Sequence, residues 1–181
     1  LQNHKATIFP GVPTLLNAIN RYLDSAEGYQ LGTLKICISG SAPLMRETKE
    51  RFEYFTGAKL IEGYGLSEAP TATHCNPISG ENRLGSIGLP LPDVEARIVN
   101  LEDSISVLQP GEIGELILRS PQMMQGYHNM RSETENAIRE GWLYTGDIAY
   151  MDRDGYFYIV DRKKDLIKPG GFQVWPREVE E

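Results

Sequence analysis

The stretch from Leu34 to Glu62 constrains the fold most. Leu34-Lys35-Ile36-Cys37-Ile38 is a short apolar strand that runs straight into Ser39-Gly40-Ser41-Ala42-Pro43. Met45 to Phe55 then carries strong helix formers, Gly57 stands where a C-terminal cap belongs, and Lys59-Leu60-Ile61-Glu62 supplies a second strand. Strand, helix and strand of this length predict a parallel crossover. In open sheets of that kind ligands collect at the carboxyl ends of the strands. Gly40-Ser41-Ala42 and Gly63-Tyr64-Gly65 each follow a strand directly, which suits them to lining one crevice. Upstream, Ala6 to Phe9 is extended and Pro10-Gly11 breaks the chain. Pro13-Thr14 opens a helix whose Leu15, Leu16, Ile19 and Leu23 recur at helical spacing.

From Gly85 onward the period changes. Val94, Ala96 and Ile98 alternate with Glu95, Arg97 and Val99, a strand follows at Glu115 to Arg119, and glycines and prolines punctuate the rest. Ser132 with Glu135 matches a capping box for a helix reaching Arg139, with Gly141 as its stop. Ile148 to Met151 and Tyr156 to Val160 form a hairpin through Asp152-Arg153-Asp154-Gly155. The expected fold class is α/β: a layered α/β subdomain over 1–84 and a small β-rich, barrel-like subdomain over 85–160, with a boundary between two domains at the charge run from Asp161.

Composition narrows the partners. A net charge of -7 over 181 residues argues against nucleic acid and membrane surfaces, and no apolar run reaches the length of a span. Two distant cysteines form neither a disulfide framework nor a zinc site and read as free thiols. A soluble cytoplasmic protein acting on small molecules is the expectation, with oligomeric state left open.

Several chemistries fail on the residues. The turn at Ser41 lacks the G-x-S-x-G elbow, because Pro43 follows two residues on, and no Walker string occurs. His4, His74 and His128 are scattered and read as surface or loop histidines. What remains is Gly63-Tyr64-Gly65-Leu66-Ser67-Glu68, which joins a stacking aromatic, a pliable backbone, a hydroxyl and a hard carboxylate ligand suited to Mg2+. It reads equally as a tight connection after a strand. Tyr144-Thr145-Gly146-Asp147 presents a carboxylate after a glycine turn, either for the two hydroxyls of a ribose or for nearby backbone amides. Asp161-Arg162-Lys163-Lys164-Asp165 reads as a solvated linker, with Arg162 as a rim residue or a ribose and phosphate partner.

Six segments together carry a resemblance: Ser39 to Leu44, Gly63 to Glu68, Gly85 to Pro90, Gly111 to Leu116, Gly141 to Asp147 and Asp161 to Lys168. In this order they resemble the motifs of the adenylate-forming enzymes, most of all the fatty acyl-CoA synthetase branch. The resemblance implies ATP-dependent activation of a carboxylic acid to an acyl-adenylate and transfer to coenzyme A, with ATP, Mg2+ and coenzyme A as cofactors. A carrier-protein thiol or oxygen as acceptor, and a non-catalytic folded piece, are its alternatives.

It also implies roles for individual residues. Tyr64, between Gly63 and Gly65, would stack on adenine, and Gly40, Ser41 and Ala42 would wall the adenine and the acyl group. Asp147 would hold the ribose with help from Arg162, Ser67 would touch the α-phosphate in place of the usual threonine, and Glu68 would hold the metal. Over 161–181 the resemblance implies a hinge and the start of a mobile C-terminal domain; Lys164 falls at the hinge, and Gly170 and Gly171 match the loop beside the pantetheine arm. The family's phosphate loop is expected upstream of Leu1 and its adenylation lysine downstream of Glu181. The chain is therefore expected to be an internal fragment that does not turn over alone.

Overall fold

A computed structural model describes residues 1–25 and 28–165. The chain divides into two compact units, Leu1–Gly65 with His74–Gly88, and Leu66–Thr73 with the residues from Leu89 onward.

The first unit is built on parallel strands. β1 (Ile8–Gly11), β2 (Ile36–Ser39) and β3 (Lys59–Leu66) align so that Ser39 is flanked by Gly11 and Glu62, with α1 (Pro13–Ser25) and α2 (Arg46–Thr56) as the connecting helices. The crossover expected from the sequence is therefore present. Gly57 ends α2 at φ 66 and donates its N–H to Glu53 O at 2.9 Å. The core comprises Leu16, Leu34, Cys37, Leu44, Phe52, Ala58 and Leu60, with Phe9 and Ile19 packed against it. α1 departs from its expected stripe, because Leu15 is exposed while Asn20 is buried. A buried amide needs a partner, and Asn20 Nδ2 donates to Thr48 O at 3.0 Å, tying α1 to α2.

Gly63-Tyr64-Gly65 is not a loop. It continues β3 to Leu66, and the chain reverses only at Ser67-Glu68 before β4 (Ala69–Cys75), a strand the sequence reading did not anticipate. In the first unit the end of β4 turns back beside β3, with Asn76 N donating to Glu62 O at 2.8 Å.

In the second unit β5 (Leu89–Pro90) adjoins the start of β4, where Leu91 N donates to Thr73 O at 2.9 Å. β6 (Glu95–Val99), β7 (Gly114–Arg119), β9 (Trp142–Met151) and β10 (Phe157–Arg162) form an antiparallel sheet in the order β10-β9-β7-β6. β8 (Ile138–Arg139) pairs with β9. Register shifts between Glu115 and Ile117 and between Ile159 and Asp161 add twist to the sheet. The Tyr144 to Asp147 stretch lies inside β9, with Gly146 at φ 71, rather than at a turn before it. The hairpin turn forms as expected, Asp152 Oδ1 accepting from the N–H groups of Asp154 and Tyr156 at 2.9 and 3.0 Å.

The expected capping box does not form. α3 (Arg131–Ala137) has Met130 at its N-cap position with no side-chain cap, so Ser132 lies inside the helix, which ends before Arg139. A 3-10 turn, Lys163–Asp165, closes the described chain. No described helix is long and apolar enough to cross a membrane.

Candidate functional site

In the first unit the two glycine segments come together. A β-carbon on Gly40 would stand 3.2 Å from the carbonyl oxygen of Gly63, so the turn after β2 touches the backbone of β3. Ser41 holds φ 72, a left-handed conformation that a serine adopts only at a cost. Glu62 fixes this arrangement. It is 8% exposed, and its two oxygens accept from Leu44 N at 3.3 Å and Gly85 N at 3.0 Å, binding the segment after the turn and the Gly85 segment to the end of β3. Tyr64 is half-buried and meets His74 edge to face, ring centroids 6.0 Å apart at 66°.

His74 corrects the surface reading. It is fully buried on β4, and burial lowers its pKa to about 3, so it stays neutral at physiological pH. Burial likewise pushes the Cys37 thiol up to about 12 and raises Cys75, which leaves neither as a reactive thiolate.

The second unit holds Ser67, Glu68, Asp147, Arg162 and Lys164. Ser67 is exposed at the tip of the reversal and Glu68 is half-buried beside it. Tyr127 Oη donates to Glu68 Oε1 at 2.7 Å, and Met124 N donates to Glu68 O at 2.7 Å. That hydrogen bond to Glu68, with burial and the charges of Glu68 and Glu133, pushes the Tyr127 hydroxyl up to about 12, so it stays protonated as a donor.

Asp147 and Arg162 face each other across the β9–β10 register, Arg162 Nε lying 2.9 Å from Asp147 Oδ1. The carboxylate side chain is 4% exposed and the guanidinium 58%. Beside them Lys163 Nζ donates to Glu115 Oε2 at 2.6 Å, while Glu115 Oε1 accepts from Gly146 N at 3.2 Å. Glu115 therefore braces the glycine that precedes Asp147. Lys164 is exposed on the 3-10 turn and lies outside both pairs. Gly170 and Gly171 lie outside the described residues.

Sequence reasoning missed Glu62, Glu115 and Tyr127. Glu62 and Glu115 were detectable in principle, since each interrupts an apolar strand where a buried carboxylate must find partners. Tyr127 carried no local signal. Among the described residues no three His, Cys, Asp or Glu side chains gather as a metal cage. A single carboxylate such as Glu68 fits a Mg2+ ion that takes its remaining ligands from water and substrate phosphates.

The AMP-binding enzyme profile matches residues 1–128. The long-chain-fatty-acid–CoA ligase of Bacillus subtilis (strain 168) is 49% identical over 181 residues, all of this chain and 32% of its own length. The chain thus spans about a third of that relative. ATP-bound MatB from Rhodopseudomonas palustris superposes with a TM-score of 0.84 at 34% identity, over 97% of this chain and 34% of its own. O-succinylbenzoate coenzyme A synthetase from Bacillus subtilis, in complex with ATP and magnesium ion, does so at 0.83 and 31% identity, over 98% of this chain and 36% of its own.

Proposed function

This chain belongs to the AMP-binding enzyme family, and on that premise we propose that it is part of a fatty acyl-CoA ligase. The whole enzyme joins a long-chain carboxylic acid to ATP and passes the acyl group to coenzyme A. The observation that carries this reading is 49% identity, sustained over every residue of the chain, to a ligase named for long-chain fatty acids. The lower identities, 34% to MatB and 31% to O-succinylbenzoate coenzyme A synthetase, favour the fatty-acid branch.

The residues supply what the first half-reaction requires. A carboxylate oxygen attacks the α-phosphorus, the bond to the bridging oxygen breaks, and pyrophosphate leaves with that electron pair. The acid is already ionised near neutrality, so no general base is needed. That agrees with a chain whose buried histidine is held neutral. Positioning and charge neutralisation do the rest. Tyr64 offers its ring to adenine, and Gly40, Ser41 and Ala42 offer backbone at close approach. Asp147, held by Arg162, accepts the ribose hydroxyls, and Ser67 donates to the α-phosphate. Glu68 would hold Mg2+, which when bound neutralises phosphate charge. In the second half-reaction the coenzyme A thiolate attacks the acyl carbonyl and AMP leaves. Lys164 serves as the hinge.

Two measurements on the full-length enzyme that carries this segment test the proposal. Asp147→Asn is expected to raise the KM for ATP by roughly 10- to 100-fold, the worth of a hydrogen bond to a charged group, with the fatty-acid KM little changed. An unchanged ATP KM would remove Asp147 from the nucleotide site. Offering coenzyme A, pantetheine or a carrier protein as acceptor is expected to give thioester fastest with coenzyme A, and preference for the carrier protein would reassign the acceptor.

A further inference from the structure

We propose that Tyr127 is a positioning residue for Glu68, holding one carboxylate oxygen so that the other is presented to a divalent cation. The inference rests on reading Glu68 as the metal ligand. The segment between β7 and α3 is laid along the reversal that carries Glu68 and the strand β4 that follows it, with two bonds to Glu68 and one to β4. Gln122 Nε2 donates to Ala72 O at 2.8 Å, Met124 N to Glu68 O at 2.7 Å and Tyr127 Oη to Glu68 Oε1 at 2.7 Å. Met123, between the first two, packs against the buried cluster of Ala69, Leu118 and Leu143. One segment therefore grips Glu68 at both its backbone and its side chain.

Tyr127 is held in turn. Its N–H donates to Thr134 Oγ1 at 2.9 Å, and that hydroxyl donates to Met130 O at 2.9 Å. Gly126, at φ 151, lies so close to α3 that a β-carbon would meet the Thr134 methyl at 2.7 Å. The relay runs from Thr134 through Tyr127 to Glu68. Its chemistry suits a metal ligand. A lone carboxylate on a flexible side chain samples several rotamers, and a fixed donor on one oxygen selects among them; such outer partners of metal ligands act on affinity. A neutral phenol donates without cancelling the carboxylate charge, whereas lysine or arginine would compete with the cation. The partial exposure of Glu68 leaves room for an ion and its waters.

The test uses the full-length enzyme with Mn2+ as a spectroscopic substitute for Mg2+ and a non-hydrolysable ATP analogue, with metal binding read by electron paramagnetic resonance. Tyr127→Phe is expected to weaken Mn2+ binding about 10-fold and to raise the half-saturating Mg2+ for pyrophosphate release in parallel, with the fatty-acid KM unchanged. Thr134→Val, which removes the support of Tyr127, is expected to shift both in the same direction. In a Glu68→Gln background Tyr127→Phe is expected to add nothing. If Glu68→Gln impairs Mn2+ binding while Tyr127→Phe and Thr134→Val match the wild type, the positioning role is overturned and the reading of Glu68 stands. A Tyr127→Phe effect that persists undiminished in the Glu68→Gln background also overturns it. If Glu68→Gln binds Mn2+ like the wild type, the reading of Glu68 itself fails.

Discussion

Gly88→Ala is expected to destabilise the first unit by about 4 kcal/mol or more, among the largest effects of a single methyl group. Gly88 sits at φ 93, and a β-carbon there would lie 2.0 Å from the Cys75 carbonyl carbon and 2.2 Å from Asn76 N and Cys75 O. All three are backbone atoms, so no rotamer change relieves the clash. The end of β4 must move, and with it the ties around Asn76, whose Nδ2 donates to Ser86 O at 2.7 Å and whose Oδ1 accepts from Arg83 N at 2.9 Å. Gly88 N is itself bonded to Ser86 Oγ at 2.8 Å. Gly111→Ala is the matched comparison. Gly111 has nearly the same backbone angle, φ 91, but nothing within 4 Å of its would-be β-carbon. It should show only the left-handed backbone cost, about 1–2 kcal/mol. Urea denaturation of the two variants measures the difference, and equal losses would refute the steric account.

The second large effect is a pH dependence set by His74. Its folded pKa is lowered to about 3 by burial, whereas an unfolded histidine binds its proton near pH 6.5. Between those values the unfolded chain holds a proton that the folded chain does not. The stability due to neutral His74 is therefore complete above the unfolded value and is lost as pH falls toward the folded one. The loss is at most about 1.4 kcal/mol per pH unit and on the order of 4 kcal/mol across the whole window. Carboxylates also titrate at low pH, so the quantity to measure is the stability difference between the wild type and His74→Gln. That difference should shrink by about 2 kcal/mol between pH 6.5 and pH 5. A difference that stays flat with pH would show that His74 takes up its proton as readily in the folded chain as in the unfolded one.

What the sequence made legible was local. Gly57 marked the end of α2 because its left-handed angle is a property of one residue. The β2–α2–β3 crossover could be read because period and length agree over some thirty positions. The misreadings arose where partners outside the segment decide. Gly63-Tyr64-Gly65 has poor strand propensity, yet it extends β3 past Glu62, where the register with β2 ends, because β4 is the strand's other neighbour. β4 itself contains Pro70 and buries Thr73 and His74, so it shows no apolar alternation to detect. The capping-box pattern at Ser132 was present but one turn of logic out of place: the helix begins at Arg131, and the hydroxyl that matters belongs to Thr134, turned toward Tyr127. At the candidate site, Asp147 and Arg162, each assigned by resemblance to a ribose, contact each other directly, a pairing that no local pattern announced. The supports of Glu68 and of Gly146, being fifty-nine and thirty-one residues away in sequence, left no mark on the segments they brace.

The two consecutive cations at the end of β10 have a consequence for ionic strength. Arg162 reaches a carboxylate on β9 and Lys163 one on β7, and both carboxylates are 4% exposed. The helix-surface pairs Arg46–Glu50 and Arg131–Glu135, by contrast, have every partner at least 63% exposed. Counterions screen exposed pairs and reach buried carboxylates poorly. Added salt therefore separates these two sets of pairs. The helix-surface pairs fade, while the paired grip on β7 and β9 persists.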